Sequence, residues 1–261
     1  VDLMARSPVL VWRNATRIRL NAPASLGKVF QVSPLAAVGV FGTGLANSAF
    51  WGLAPVFVQN AGYSTNLVAV FVTSFVIGGV FMQFPLAIFS DRLDRRHTLN
   101  AVTLGSAVAS FSLAAMADAG MSVLLPLGFL YGSLTLSIYS LAIAHANDFA
   151  AREDFVEVSR SLLLLFGIGA AIGPFLASLF ADLFGNSAIF MYMSVIHAVI
   201  LIYGIYRTFQ RPTVPKSDKE QYVPLPRSTP QILELDPRSE LHDAAAPGTP
   251  TASKETVQSL S

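Results

Sequence analysis

The chain contains no cysteine, so a disulfide framework, a thiolate nucleophile and a thiolate-bound metal are all excluded. Charge is also scarce, at 13% of residues against roughly 25% in an average soluble domain. With 53% hydrophobic residues and a mean hydropathy of +0.55, the chain has too little polar surface to cover a soluble core of its size. Catalytic signatures are missing as well: there is no H-E-x-x-H and no G-x-S-x-G, so the residues do not point to an enzyme. A formal net charge of +1 gives nucleic acid no basic stripe to bind. Two isolated histidines, His145 beside Asp148 and His197, have no carboxylate cluster near them, so neither a metal nor a cofactor is expected. His197 can bond a neighbouring helix, with a proton relay as the less favoured alternative because the interiors of the chain's long apolar blocks hold no acid to pair with it.

The sequence is rich instead in long apolar blocks. Six can be drawn, at about 33–58, 65–89, 98–117, 121–146, 155–181 and 187–207. Each has the roughly 20 residues that a helix needs to cross about 30 Å of hydrocarbon. The 17 Lys and Arg residues lie outside these blocks or at their ends. They fall in alternate intervals: before the first block, at Arg92, Arg95 and Arg96, at Arg152 with Arg160 just beyond it, and after Arg207. The connections 59–64, 118–120 and 182–185 carry none. Cations accumulate on the cytoplasmic side because moving them across the bilayer is costly. The expected topology is therefore six crossings with both termini in the cytoplasm.

Residues 1–32 are studded with Arg6, Arg13, Arg17, Arg19 and Lys28 and hold no long apolar stretch, which reads as a basic cytoplasmic lead-in and not a secretory signal. Eight of the 15 prolines fall in residues 209–261, a composition that predicts a disordered cytoplasmic tail. An internal repeat is also visible. Shifting the first block by 88 aligns Gly44 with Gly132, Asn47 with Thr135 and Trp51 with Tyr139; shifting the second by 89 aligns Gly78 with Gly167 and Pro85 with Pro174. Three helices are an odd number, so the second triplet would be inverted, a construction that places a substrate site at the repeat interface. The alternative is coincidence within apolar sequence.

Residues 87–96, "AIFSDRLDRR", lie on the expected cytoplasmic side between the second and third blocks. They resemble the loop signature of the major facilitator superfamily (MFS), G-x-x-x-D-R-x-G-R-R, at Asp91, Arg92, Arg95 and Arg96, with Ala87 and Asp94 in place of its two glycines. The charges have a physical use without the family. Asp91 can accept hydrogen bonds from the free N–H groups that open a neighbouring helix, and the arginines can bridge to Asp148, or failing that to Glu157. Such a bridge would latch one conformation; the alternative is a positive-inside anchor with no switching role.

Gly169, Gly173 and Pro174 in "GAAIGPFLAS" have the small-residue spacing of close helix packing, with a proline that can kink the helix. The resemblance associates a related stretch with proton-coupled antiport, but packing is the preferred reading. Asn47 and Trp51 share one helix face, as Tyr131, Thr135 and Tyr139 roughly do on another. These two stripes would suit a cavity for a neutral or amphipathic solute. Interface belts and helix–helix hydrogen bonds are the alternative.

The resemblance covers about residues 28–210 and is to the C-terminal six-helix half of a bacterial MFS carrier. It implies an all-α membrane protein, a six-helix bundle in an inverted 3+3 arrangement. It also implies residence in the bacterial inner membrane and secondary transport of a small solute by alternating access. One bundle has nothing to rock against, so a missing N-terminal half or a second copy is the expected partner, alongside membrane lipid and a small-molecule substrate. A non-transporting scaffold or regulatory half-protein is the rival reading.

Overall fold

The computed structural model describes residues 24–92, 94–151 and 154–210, without the side chains of Ala87, Asp91 and Arg92. Most of the expected basic lead-in, Arg152 and the proline-rich tail from residue 211 lie outside the described residues. The helices are α1 (Leu26–Val32), α2 (Pro34–Asn60), α3 (Thr65–Arg92), α4 (Arg95–Ala115), α5 (Met121–Asn147), α6 (Phe155–Phe184) and α7 (Ala188–Thr208). No strand occurs among the described residues.

Local chemistry sets the helix ends. The Ser33 hydroxyl caps α2, accepting from the Ala36 N–H, and Pro34 occupies the first turn, where its missing N–H costs nothing. Three glycines with positive φ, Gly62, Gly120 and Gly185, shape the connections without Lys or Arg at the opposite end of the bundle, where a side chain would be strained. Helix α4, the third long helix, differs from expectation. It starts at Arg95 and not Thr98, because Asp94 caps it by accepting from the Arg96 N–H at 3.0 Å. Arg95 and Arg96 are therefore helical residues and not loop residues. The end of the lead-in, in turn, is the short helix α1.

Among the described residues, five helices are long and apolar enough to cross a membrane: Thr65–Ser90 within α3, and α4, α5, α6 and α7. Helix α2 has the length, but its hydropathy is diluted by Gly39, Gly42, Thr43, Gly44, Asn47, Ser48 and Gly52. It is also, like α5, among the most enclosed helices, with buried positions on most of its circumference from Leu35 to Val58. Helix α3, by contrast, exposes Val80, Phe81 and Phe84, and α6 exposes Phe175 and Leu183. Large apolar side chains exposed all along such helices match a hydrocarbon surrounding.

The core is aromatic in the uncharged half of the bundle, where Phe50 of α2 stacks on Phe75 of α3 at 3.8 Å between ring centroids, with Tyr131 of α5 at 5.8 Å from Phe50. Nearer the charged end, aliphatic Leu35, Leu99, Ile138 and Leu141 form a separate buried cluster.

Two helix pairs approach so closely that only glycine fits. A methyl on Gly44 of α2 would strike the carbonyl oxygen of Phe166 in α6, and one on Gly169 of α6 would strike that of Phe41 in α2. The α3/α5 pair repeats this: Gly132 faces the Phe75 carbonyl and Gly78 faces that of Phe129. Phe41 and Gly44 stand 88 positions before Phe129 and Gly132, while Phe75 and Gly78 stand 91 before Phe166 and Gly169. The contacts thus relate α3 to α6 by 91, not 89, and match Gly78 with Gly169. Gly167 faces open space.

Candidate functional site

At the charged end, Arg95 projects from the first turn of α4 into the bundle and is 1% exposed. Its Nη1 donates to the Asp148 carboxylate at 2.6 Å and to the Ala144 carbonyl at 2.9 Å, both at the end of α5. The Asp148 side chain is 3% exposed. Breaking such a buried pair by removing one partner costs about 3–5 kcal/mol, because the other charge is left without compensation. Arg96, also buried, lays its guanidinium over the Phe149 ring at 5.2 Å from the centroid, a contact favoured by the ring quadrupole. Asp91 and Arg92 close α3 beside this cluster in sequence; their side chains lie outside the described residues.

Lys28 of α1 makes a second, more open cluster. Its Nζ donates to Asp154 and, at 2.8 Å, to Glu157 at the start of α6, while the Ser25 N–H donates to Ser161 Oγ at 3.0 Å. The Asp154 and then the Glu157 carboxylate hold the Lys28 ammonium above its ordinary value of 10.5. Glu157, the second candidate partner for the arginines of the α3–α4 loop, is thus engaged by Lys28.

In the middle of the bundle the two polar stripes part company. Asn47 and Thr135, related by the shift of 88, meet in a hydrogen bond of 3.0 Å between α2 and α5. His197 of α7 joins them, with Nε2 3.1 Å from Thr135 Oγ1 and Nδ1 2.7 Å from the Met193 carbonyl. Tyr131 packs edge-on against His197 at 5.8 Å. Asn47, Tyr131, Thr135 and His197 are all fully buried. Trp51 instead is 46% exposed, packed edge-on to Phe75, and Tyr139 packs against Phe166 of α6 at 5.2 Å. Gly169 and Gly173 sit at the α2/α6 contact, and Pro174 lies against Gly52 one turn on.

Comparison with known proteins places this bundle. Residues 36–243 match the family model described as Major Facilitator Superfamily. The chain belongs to the major facilitator superfamily. It is similar to an uncharacterized MFS-type transporter, YcaD, of Escherichia coli, with 26% identity over 174 residues that make up 64% of this chain and 43% of that protein. The Shigella flexneri YcaD is 25% identical over 174 residues, 64% of this chain and 43% of the relative. An uncharacterized MFS-type transporter of Enterobacter sp. is 23% identical over 206 residues, 76% of this chain and 52% of the relative. The chain therefore spans about half the length of the curated relatives it matches. Family membership and the apolar helices make it a multi-pass membrane protein of a transporter family.

Two features of the MFS bundle escaped the sequence. Asp94, read as a departure from the loop signature, is the N-cap of α4; its signal was an Asp directly before the helical run. His197 was expected to bond a neighbouring helix, and does, but its partners, Thr135 of α5 and through it Asn47 of α2, were not foreseen. Nothing in the spacing along α7 announces that meeting.

Proposed function

We propose that the chain is the C-terminal six-helix half of a secondary transporter, built as an inverted 3+3 repeat, that moves a small solute by alternating access. The observation that carries this reading is the doubled glycine contact. The α2/α6 and α3/α5 pairs use Gly44 with Phe166 and Gly132 with Phe75, then Gly169 with Phe41 and Gly78 with Phe129. A repeat that exchanges α2 with α5 and α3 with α6 generates one pair of contacts from the other, and such repeats are the usual construction of secondary carriers. The share of the relatives that is covered supports a missing N-terminal half as the partner; a second copy is the other route to a complete carrier.

In this reading the charged end is cytoplasmic, the membrane is the bacterial inner membrane, and α2 is the sixth crossing. Arg95 and Asp148 act as a conformational latch with Asp91, Arg92 and Arg96, closing α4 onto α5 in one state and parting in the other. The face that carries Trp51, with Tyr139 nearer the interior, borders the substrate path. Asn47, Tyr131 and Thr135, enclosed in this state, would reach it only on rearrangement. Gly169, Gly173 and Pro174 keep α2 and α6 in close contact, and proton coupling is the expected energy source.

The absence of cysteine makes the topology directly testable. Single substitutions Ser64→Cys, Ala119→Cys and Asn186→Cys should react with an impermeant maleimide from the periplasmic side, and Ala150→Cys only after the membrane is opened. Labelling of Ala150→Cys from outside together with Ala119→Cys would overturn the six-crossing topology. The half-carrier proposal stands on the DNA upstream of the codon for Val1: six further apolar helices in frame are expected there, or in an adjacent frame. A promoter with no such frame would sink it. With the carrier complete, Asp91→Asn should slow solute movement in vesicles, and unchanged rates would remove the latch.

A further inference from the structure

With the Asn47 Oδ1 facing Thr135, the hydrogen bonds in the middle of the bundle do not close with the hydrogens a neutral set of side chains supplies. A carbonyl oxygen only accepts, so the 2.7 Å contact to Met193 requires a hydrogen on His197 Nδ1. In a neutral imidazole Nε2 is then an acceptor. Thr135 has one hydroxyl hydrogen and faces two acceptors, His197 Nε2 at 3.1 Å and Asn47 Oδ1 at 3.0 Å. The Asn47 Nδ2, which carries two hydrogens, is buried without a partner among the described residues. The Tyr131 hydroxyl is buried beside the same Thr135 hydroxyl and interacts with it.

Two arrangements complete the chain, and they differ by one proton. If the Asn47 amide turns over, its Nδ2 donates to Thr135 Oγ1 and Thr135 donates to His197 Nε2, with the ring neutral. If instead Nε2 carries a hydrogen, His197 donates to Thr135, Thr135 donates to Asn47 Oδ1, and the ring is a cation. We infer that Asn47, Thr135 and His197 form a proton-binding switch that joins α5 to α2 and α7. Proton uptake at Nε2 reverses the direction of both hydrogen bonds and turns the Asn47 amide, so α2 sees a donor in one state and an acceptor in the other. The proton comes from water, and no covalent bond other than N–H forms or breaks.

The surroundings decide when the proton is carried. Tyr131 is the titratable group packed against His197 from α5. Asn47 of α2 and Thr135 of α5 are its polar neighbours. On α4 the residues nearby are neutral: Ser106 and Ser110 bond to their own helix, and the Ala107 carbonyl accepts from Ser194 of α7. No Asp, Glu, Lys or Arg lies on α2, on 65–90 of α3, on 97–115 of α4, on α5, on 161–181 of α6 or on 188–206 of α7. A cation in this dry setting has no counter-ion, so closed packing favours the neutral arrangement, in which the Asn47 amide is turned to put Nδ2 and not Oδ1 against Thr135, a change of orientation with no change of shape; loading requires a conformation that brings water to the cluster. Alternation between wet and dry states would then move the proton. That use rests on the transport reading; the proton site itself does not.

The test is nitrogen NMR on the full chain, labelled with ¹⁵N at histidine and asparagine and held in lipid nanodiscs. The His197 ring is assigned by its loss in His197→Gln, or in a variant with His97, His145 and His242 all replaced by Gln. As pH is lowered from about 8 to the lowest value at which the protein stays folded, Nε2 is expected to pass from unprotonated to protonated, with the Asn47 side-chain amide signals changing over the same range. In Thr135→Val the Asn47 signals should stop following pH. An Nε2 that stays unprotonated through that range in folded protein, or Asn47 signals that ignore its titration, would overturn the switch. Neither result depends on transport, so failure here leaves the carrier reading standing, and failure of transport leaves the site standing.

Discussion

The charged end and the middle of the bundle fasten α5 to its neighbours by opposite means. At the charged end, α4 and α5 are held by a full ion pair, Arg95 with Asp148, buried at 2.6 Å. In the middle, α2, α5 and α7 meet through neutral groups, Asn47, Thr135 and His197, at 3.0–3.1 Å. An ion pair needs its partner in place or the bundle carries a bare charge. A neutral chain can reverse its hydrogen bonds at much lower cost. The first arrangement suits a contact that is either made or broken, the second a contact that changes sense while staying closed.

The sharpest break in that comparison is Asp148→Ala, which leaves Arg95 buried without its carboxylate. Thermal unfolding in detergent should show a loss of about 3–5 kcal/mol. The double variant Arg95→Met with Asp148→Leu should recover most of it, since well-packed apolar replacement of a buried pair is often neutral or stabilising. A double variant as unstable as the single one would mean that the charges, and not the absence of one of them, hold α4 to α5. Next in size comes Gly132→Ala, which sets a methyl against the Phe75 carbonyl. Because a backbone has to move, the expected cost is about 1–3 kcal/mol, while Gly167→Ala, facing open space, should cost nothing.

The contrast also explains what the sequence disclosed. Hydropathy and charge alternation gave the helices to within a few residues because both are additive along the chain: each apolar residue and each arginine counts alone. The pairing of Arg95 with Asp148 was legible too, since charges of opposite sign at one end of a bundle have few places to go. Asp94 was misread because a family pattern expected glycine there, though capping chemistry pointed to a helix start. The middle was hidden for a different reason. Asn47, Thr135 and His197 lie 88 and 62 positions apart, on helices whose rotation is fixed by the glycine contacts. The offset of 91 between α3 and α6 likewise comes from which carbonyl each glycine meets, and residue identity alone had pointed to 89.

A smaller effect tests the neutral side. Thr135→Val removes the hydroxyl shared by Asn47 and His197 but keeps the shape, and interhelical hydrogen bonds in membranes average only about 0.6 kcal/mol. A loss of about 1 kcal/mol in thermal unfolding is expected, well below that of Asp148→Ala. A loss as large as that of the ion pair would erase the distinction between the two regions.

The smallest effect belongs to Lys28→Ala, which probes whether the charged end is uniform. Lys28 also pairs with carboxylates, but its side chain is 29% exposed, so water and salt screen it as they do not screen Arg95. Its raised value fixes the sign of the pH dependence. The contact contributes fully below the ordinary value of 10.5 and is lost as pH rises through the higher folded value. Near neutral pH the contact is therefore constant, and ionic strength is the variable that weakens it. The difference in melting temperature between wild type and Lys28→Ala should be small in dilute buffer and vanish in concentrated salt, while that of Asp148→Ala should persist. A salt-insensitive Lys28 effect would mean that α1 is held by the Ser25–Ser161 hydrogen bond and packing on α6, and not by its charges.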